Sequence, residues 1–310
     1  MYSSNQNLFI VLNFTPFMEK INSRKRNFLM REWYCHIEIQ NKIIQYTQQR
    51  ETVFLLSSAE RIEGKKVNMR YVSMNKAIDL SFQIRNTFKL YDTPRLYNIY
   101  YSIAHFKRFF PYFKFGECRR ETISRWVKNT MCNIIDHVDF FIDIDTSRQT
   151  FEAGKETLKQ IRIIFDKFNI TYEVRLSGRG IHIIAEGKQF AELKAEFTED
   201  LLNKNNIMNY YYKIARYFNK NISELVDLAV YDLRRVTKAG YSLVHYPEEL
   251  KVVLPLCSED EILKCDYDYN SIIQVKELLE NDFKNINKRK TFKVNEHIKS
   301  KVKELIKFVE

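Results

Sequence analysis

Residues 138–185 constrain the fold of this 310-residue chain more than any other segment. From 138 to 145 every second residue is apolar: Val138, Phe140, Ile142 and Ile144. Asp143 and Asp145 occupy alternate positions between and after them. A period of two is typical of a β-strand, so the pattern predicts one continuous strand with an apolar face and an acidic face.

The residues that follow predict a helix, a strand, a tight turn and another strand. Apolar residues recur at helical spacing over 151–169, and Asn169 is a suitable helix stop. Residues 172–176 alternate, and IHIIA at 181–185 reads as a strand after the turn SGRG. This order is half of a split βαβ sheet, as in RNA-recognition-like (RRM-like) folds. We therefore expect an α+β fold with an RRM-like split βαβ sheet and surrounding helices.

Asp143 and Asp145 are the first candidates for chemistry. On one strand face their backbones lie about 7 Å apart. Two such carboxylates repel each other unless water, a basic side chain or a divalent cation neutralises them. Carboxylate oxygens suit Mg²⁺ and Mn²⁺, which two-metal enzymes hold on either side of a transferred phosphoryl group. An isolated pair also fits a solvated strand end, so other motifs must decide between the two interpretations.

The turn SGRGIH is the second candidate. Gly178 and Gly180 would let backbone N–H groups approach a ligand closely, and Ser177, Arg179 and His182 would supply donors to phosphate oxygens. In the alternative interpretation the glycines only satisfy the turn, and His182 is a hydrogen-bonded core histidine.

A third cluster begins with a strand-like segment at 224–233 that contains Asp227 and Asp232. Basic residues follow it: Arg234, Arg235, Lys238 and His245. Acids followed by bases suit a site where a carboxylate completes a metal set and cations bind a triphosphate, although a charged surface loop has the same composition.

In this order, FFIDID, SGRGIH and VDLAVYDLRRVTKAGYSLVHYP resemble the archaeo-eukaryotic primase superfamily, in particular the small catalytic subunit of DNA primases. The resemblance covers about residues 28–256. It implies a primase that makes primers on single-stranded DNA by divalent-metal-dependent nucleotidyl transfer. An alternative in the same superfamily is a primase-polymerase or repair polymerase that extends existing ends. An alternative of another class is a non-catalytic module that binds single-stranded nucleic acid.

The resemblance also implies roles for individual residues. Two Mg²⁺ or Mn²⁺ ions would be held by Asp143, Asp145 and Asp227, with Asp232 as the rival for the third place. The nucleotide would be bound by residues of the second and third motifs: Ser177, Gly178, Arg179, His182, Lys238 and His245. The implied partners are a single-stranded DNA template, NTP or dNTP, and a primase large subunit or a helicase.

Composition and charge are consistent with this interpretation. A net charge of +11 and a pI near 9.2 favour a polyanionic partner. Basic residues at 24–26, 119–125 and 288–293 are candidates for holding the template. The five cysteines form no CxxC pair, so we expect no structural zinc and a reducing, cytoplasmic location at the nucleoid or replication machinery. The apolar stretch 8–14 is too short to span a membrane.

The expected organisation is a catalytic domain over residues 1–256 and a small helical C-terminal extension over 257–310. Apolar residues at helical spacing near 272–279 and 302–309, separated by a basic patch, set the extension apart.

Overall fold

The computed structural model describes residues 23–56, 68–72, 96–107, 135–147, 149–198, 202–246 and 249–310. The apolar stretch 8–14 and the basic residues 119–125 lie outside these ranges. Helices and strands alternate along the described chain in a mixed architecture. The assignment of the sheet to the RRM-like class stays a prediction.

The strands, in chain order, are β1 Glu51–Leu56, β2 Asn68–Val72, β3 Leu96–Ser102, β4 Ala104–Phe106, β5 Ile135–Val138, β6 Phe140–Ile144, β7 Tyr172–Leu176, β8 Ile181–Ala185, β9 Val236–Lys238, β10 Leu243–His245, β11 Leu250–Val252, β12 Leu254–Pro255 and β13 Lys293–Val294. The α-helices are α1 Ser23–Cys35, α2 Ile37–Thr47, α3 Phe151–Lys167, α4 Ile207–Asn221, α5 Glu259–Lys264, α6 Ile272–Leu278 and α7 Val302–Val309. Short 3-10 helices span Gly187–Leu193, Leu228–Val230 and Phe283–Lys288.

Two sheets position the candidate site. The central sheet has the order β12-β7-β8-β6, and the N-terminal sheet has the order β2-β1-β3-β9. In the central sheet β8 is antiparallel to both β6 and β7, so β6 and β7 run parallel to each other and are connected through α3. Smaller antiparallel pairs join β4 to β5 and β10 to β11.

One face of the central sheet is apolar and packs on helices. The ring of Phe140 stacks on Tyr211 of α4 with 4.8 Å between centroids, and it also contacts Phe165 of α3. All three side chains are buried. Burial of side chains this large contributes about 1.5–3 kcal/mol each, so this face holds the sheet against its helices and leaves the opposite face for polar residues.

Local interactions of Thr150 and Asn169 define the two ends of helix α3. The hydroxyl oxygen of Thr150 accepts a hydrogen bond from the Ala153 backbone N–H at 3.2 Å, which caps the first turn. The helix ends at Lys167, and Asn169 has a φ of +53°, a left-handed conformation that asparagine tolerates. The predicted helix is therefore present, two residues shorter than the pattern indicated.

The alternating segment 138–145 forms two strands and not the single strand that its period predicted. The ladder partner changes at Asp139, since β5 pairs with β4 and β6 pairs with β8. The Asp139 N–H donates to the Ile103 carbonyl at 3.0 Å, and its carboxylate is bonded to Arg50 at 2.6 Å. A buried acid held by a distant arginine thus interrupts the strand.

Residues 224–233 also differ from prediction, because they form no strand. Val226 makes one antiparallel bridge with Ile144. The Asp227 carboxylate then accepts the Ala229 N–H at 2.8 Å and starts the 3-10 helix Leu228–Val230. An aspartate that caps its own backbone in this way competes with strand pairing.

The C-terminal segment contributes to the central sheet. Strand β13 pairs with the first half of β7, Lys293 opposite Glu173, and β12 pairs with the second half. In addition, Phe308 of α7 contacts Tyr217 of α4 with 5.3 Å between ring centroids. The boundary at residue 256 stays a prediction, and 257–310 is described here by these contacts.

Candidate functional site

A polar row crosses the central sheet on the face opposite the helices. Arg175 of β7, His182 of β8 and Asp143 of β6 are direct neighbours across the ladder. Strand pairing therefore brings together side chains that are 39 residues or fewer apart in the chain, with His182 between an acid and a base. The pairing of Asp143 with His182 brings the first two sequence motifs together.

The N-terminal sheet covers this polar row. The Tyr101 hydroxyl of β3 accepts a hydrogen bond from Arg175 at 2.5 Å, and the Thr237 hydroxyl of β9 is 3.2 Å from Nδ1 of His182. Lys238, also in β9, donates to the Ser177 carbonyl at 2.7 Å. The site therefore lies between two sheets, and strand β9 brings the third motif to the first two.

A backbone hydrogen bond holds Asp227 next to Asp143. The Asp227 N–H donates to the Asp143 carbonyl at 2.9 Å, and the Asp145 N–H donates to the Leu225 carbonyl at 2.9 Å. These two bonds flank the bridge between Ile144 and Val226. A short antiparallel contact thus places the three predicted acids on adjoining chain segments.

The charges of the three acids act on one another. Burial raises the pKa of Asp143, Lys238 opposes that rise, and the carboxylates of Asp145 and Asp227 raise the pKa further, to about 6. Because 29% of the Asp143 side chain reaches solvent, burial alone is a weaker cause than for an enclosed carboxyl. The negative charges of Asp145 and Asp227 therefore contribute to the rise in the pKa of Asp143. A cation bound between these carboxylates would reduce that rise.

A cavity opens on the outer side of this acid cluster. It has a volume of about 380 Å³ and is lined by Asp145, Gln149, Glu224, Leu225 and Asp227. Asp143 faces inward instead, with its Oδ1 3.6 Å from Nε2 of His182. Asp145 and Asp227 therefore line the cavity, whereas the Asp143 carboxylate is directed toward His182. Glu224 was not singled out from the sequence, because an exposed glutamate at a helix-to-loop transition carries no distinguishing pattern.

Asp232, the rival third acid, lies elsewhere. Its carboxylate accepts the Arg234 N–H at 2.9 Å and is 3.4 Å from Arg235. Asp227 and Arg235 are among the charges that shift the pKa of Asp143. The geometry therefore favours Asp227 over Asp232, and it adds Arg235 as a cation that the motif comparison had not placed.

His182 is held as a neutral, fixed side chain. Its side chain is 4% exposed, and burial together with the charges of Lys238 and Arg175 keeps the pKa of its imidazole well below the usual range. The Phe141 ring meets it edge-on with 4.8 Å between centroids. A neutral imidazole fixed between Thr237 and Asp143 can donate one hydrogen bond or accept one, but it adds no charge to the acid cluster.

Lys238 is the cation nearest the acids. Burial lowers the pKa of its ammonium group, while Asp143 and Asp145 raise it. Its hydrogen bond to Ser177 ties it to the SGRGIH turn. Lys238 thus connects the turn to the acid cluster.

Both glycines of the turn lie so close to neighbouring atoms that a Cβ would not fit. Gly178 has a φ of +109°, and a Cβ there would lie 2.5 Å from the Tyr246 hydroxyl. A Cβ on Gly180 would lie 2.7 Å from the Ile144 carbonyl oxygen. The Thr146 hydroxyl also donates to the Arg179 carbonyl. These contacts fix the turn against the end of β6, next to Asp145.

Two predicted nucleotide contacts are arranged differently from expectation. The Arg179 guanidinium is 3.2 Å from Glu249 and lies over the Tyr246 ring, and the Arg179 N–H donates to the Tyr246 hydroxyl. His245 precedes Tyr246 in β10, and strand alternation directs it to the opposite side from the residue that contacts Gly178. The structure therefore brings Ser177, His182 and Lys238 to the acids but engages Arg179 elsewhere.

A second cluster of possible ligands was not predicted. His105, His137 and Asp139 place their ligand atoms within 4.8 Å of one another, the one such group of three among the described residues. No local sequence pattern indicates this cluster, because His105 and His137 are 32 residues apart.

Comparisons with known proteins give similarities to solved structures alone. No protein-family model and no curated protein sequence matches the chain. The chain is similar to the solved structure of the polymerase domain of ligase D from Mycobacterium tuberculosis in complex with DNA. The similarity covers 84% of this chain and 89% of that chain, with 12% identity and a TM-score of 0.49. At these values the match assigns no function, so function has to be argued from the side chains.

Among the described residues, no helix combines the length and the apolar character needed to cross a membrane.

Proposed function

We propose that the chain is a metal-dependent nucleotidyltransferase of the primase-polymerase type that acts on DNA strands. The observation that carries the proposal is the acid cluster of Asp143, Asp145 and Asp227 beside Lys238 and His182. An acid whose pKa is raised by burial and by two neighbouring carboxylates, next to a neutral histidine, is typical of a functional site.

The donor set fits hard divalent cations. Asp145, Asp227 and Glu224 all line the cavity, and carboxylate oxygens are the ligands that Mg²⁺ and Mn²⁺ prefer. Asp145 and Asp227 would hold the ions from the cavity wall, and Asp143 would have to turn from His182 to join them. Two such ions, when bound, lower the pKa of an attacking 3′-hydroxyl and neutralise charge on departing pyrophosphate.

The chain's own residues would position the nucleotide. Lys238 and Arg235 supply positive charge near the acids, where a triphosphate would need it. Thr237 fixes the ring of His182, so that the imidazole can hydrogen-bond to a phosphate oxygen without reorganising. Arg179 would have to leave Glu249 to reach the same ligand.

Extension of an existing end is the form of the activity that we put first. It requires one bound nucleotide and a strand end, whereas primer synthesis requires a second nucleotide to be held as the first acceptor. Primer synthesis by a DNA primase is the second form of the proposal. A single-stranded DNA template, NTP or dNTP, and a large subunit or helicase are the corresponding proposed partners.

Incubation with labelled NTP or dNTP, Mg²⁺ or Mn²⁺ and single-stranded DNA, with and without a primer, tests the proposal. Incorporation only on primed DNA supports extension, and new oligonucleotides on unprimed DNA support primer synthesis. The double variant Asp143→Asn with Asp145→Asn should abolish both activities.

Two single variants sharpen the assignment of the third acid. Asp227→Asn should reduce incorporation by at least about 100-fold, while Asp232→Asn should retain most of it. Absence of incorporation by the wild-type chain, or unchanged incorporation by the double variant, would reject the enzyme. Binding of single-stranded DNA that ignores divalent ions and both substitutions would then favour a non-catalytic binding module.

A further inference from the structure

The β4–β5 ladder creates a pair of histidines. His105 and His137 are directly opposite each other in the register, and their rings stack with 3.8 Å between centroids and 22° between planes. Asp139 is two residues after His137, so it projects to the same side of the chain. One ligand atom from each of the three residues lies within 4.8 Å of the others.

We propose that His105, His137 and Asp139 bind a divalent transition metal ion of the zinc class. This site is separate from the acid cluster of Asp143, Asp145 and Asp227, and the proposal does not rest on nucleotidyl transfer. It also differs in chemistry from the cysteine-based zinc elements that the cysteine pattern argued against.

The spacing fits tetrahedral coordination. The His105 Nε2 atom is 3.2 Å from the Asp139 Oδ2 atom. Bonds of about 2.0–2.1 Å from a tetrahedral ion place two ligand atoms about 3.3 Å apart. His105 and Asp139 therefore already stand at the separation that a shared ion requires, and the ligand atom of His137 lies within 4.8 Å of both.

Outer partners orient two of the three ligands. The His137 Nδ1 atom is 2.9 Å from the Asp136 carboxylate, which leaves Nε2 as the lone-pair donor. Asp139 accepts the Gly187 backbone N–H on Oδ1 at 2.9 Å, which leaves Oδ2 for an ion. A carboxylate on the far nitrogen of a ligating histidine is the usual arrangement in zinc proteins.

Charge and protonation also suit a metal. Burial lowers the pKa of His105, and metals bind the neutral form of imidazole. Burial alone would raise the pKa of Asp139, but Arg50 and His105 hold it well below the usual range, so it is a carboxylate. Arg50 bonds the same Oδ2 atom at 2.6 Å. Because a carboxylate oxygen has two lone pairs, the arginine can remain while an ion replaces the contact with His105.

The three residues line a cavity through which an ion could enter. Its volume is about 670 Å³, and its wall also carries basic side chains: Lys42, Arg50, Arg175, Lys188, Lys290 and Lys293. Three protein ligands leave a fourth position, which water or an anionic oxygen atom would take on the cavity side. Two imidazoles and one carboxylate favour Zn²⁺, Co²⁺ or Ni²⁺ over Mg²⁺.

Titration of the chelator-treated full chain with Co²⁺ tests the proposal. We expect one equivalent to give visible absorption of tetrahedral intensity that Zn²⁺ then displaces. His105→Gln with His137→Gln should abolish the signal, and Asp136→Asn should weaken Co²⁺ binding by about 10- to 100-fold. The glutamines keep hydrogen-bonding groups at both positions and so limit damage to the fold.

The control is the double variant Asp143→Asn with Asp145→Asn, which should bind Co²⁺ at the histidines as the wild type does, whether or not the chain transfers nucleotides. Circular dichroism of each variant should show a folded protein, and Zn²⁺ should raise the melting temperature of the wild type but not of the histidine variant. A wild type without the tetrahedral band, or a folded histidine variant that retains it, would overturn the proposal.

Discussion

Asp139, between β5 and β6, lies four residues before Asp143 of β6, yet their surroundings shift their carboxyl pKa values in opposite directions. Burial acts to raise both. At Asp139 burial is the largest single effect, but Arg50 and His105 together outweigh it and keep the pKa well below its usual range. At Asp143 burial prevails over Lys238, and Asp145 and Asp227 add to it, so the pKa rises to about 6.

The difference separates two uses of a buried acid. A carboxylate paired with an arginine stabilises the folded state at neutral pH, because the folded protein favours the charged form that prevails there. A carboxylate crowded by other acids costs stability at neutral pH, and such a cost persists where a ligand or an ion relieves it. The first use predicts stability effects at Asp139, and the second predicts functional effects at Asp143.

The largest effect should come from Asp139→Asn. The substitution leaves Arg50, whose side chain is 11% exposed, without its charged partner in a buried setting. Loss of one member of a buried ion pair costs about 3–5 kcal/mol of unfolding free energy. Urea denaturation measures this quantity, and Asp136→Asn, an exposed acid next in sequence to His137, is the control expected to stay near wild type in metal-free buffer. Equal stabilities of the wild type and Asp139→Asn would contradict the stabilising role of the Asp139 carboxylate.

Asp143→Asn should have the opposite profile. We expect nucleotidyl transfer to fall by at least about 100-fold, because a ligand of the ions is lost. The fold should remain intact, since the amide relieves the repulsion from Asp145 and Asp227. Primer-extension rates paired with thermal melts measure both properties. A variant with wild-type transfer would show that Asp143 belongs to the structural class with Asp139.

Gly180 lies near the acid cluster and Gly187 lies near Asp139, so substitutions at these two glycines can be compared directly. A Cβ on Gly180 would meet the Ile144 carbonyl and move the turn from the acids, and a Cβ on Gly187 would overlap the Val138 carbonyl beside Asp139. Each Gly→Ala change should cost about 1–3 kcal/mol of unfolding free energy. Only Gly180→Ala should also lower transfer, and only Gly187→Ala should lower Co²⁺ uptake. The reverse pattern in these two assays would contradict our assignment of the sites.

The smallest effect is on the pH dependence of stability, measured with a chelator present. The folded pKa of Asp143 is raised above the unfolded value, so its contribution decreases stability as pH rises from about 4 to about 6. Asp139 has a depressed pKa, so its contribution is complete above pH 4 and is lost as pH falls below it. Asp143→Asn should therefore be more stable than the wild type at pH 7 and equal to it at pH 3. A gain that is the same at both pH values would have another cause.

The period-two pattern was sufficient to place Asp143 on a strand, whereas Asp145 lies one residue beyond the end of β6. Asp143 follows from alternation, and the helix stop at Asn169 follows from local chemistry. The neighbouring position of His182 required the hairpin of β7 and β8 to return along β6, which the order of elements permitted but did not determine.

Long-range contacts account for what the sequence did not show. The break at Asp139 depends on Arg50, 89 residues earlier. Asp227 reaches the site through a single bridge at Val226, where the alternation of 224–233 had indicated a full strand. The histidine pair depends on the pairing of β4 with β5, and no local sequence pattern in either strand predicts that pairing.

Strand β7 is bordered along its outer side by two separate pieces of chain, β12 and β13, placed end to end. Each is only two residues long, too short to serve as a template for another molecule. A chain truncated after residue 256 would expose the backbone of Tyr172 and Glu173 as an unpaired edge. Self-association of the shortened protein would therefore be a hazard of expressing it, independent of any effect on chemistry.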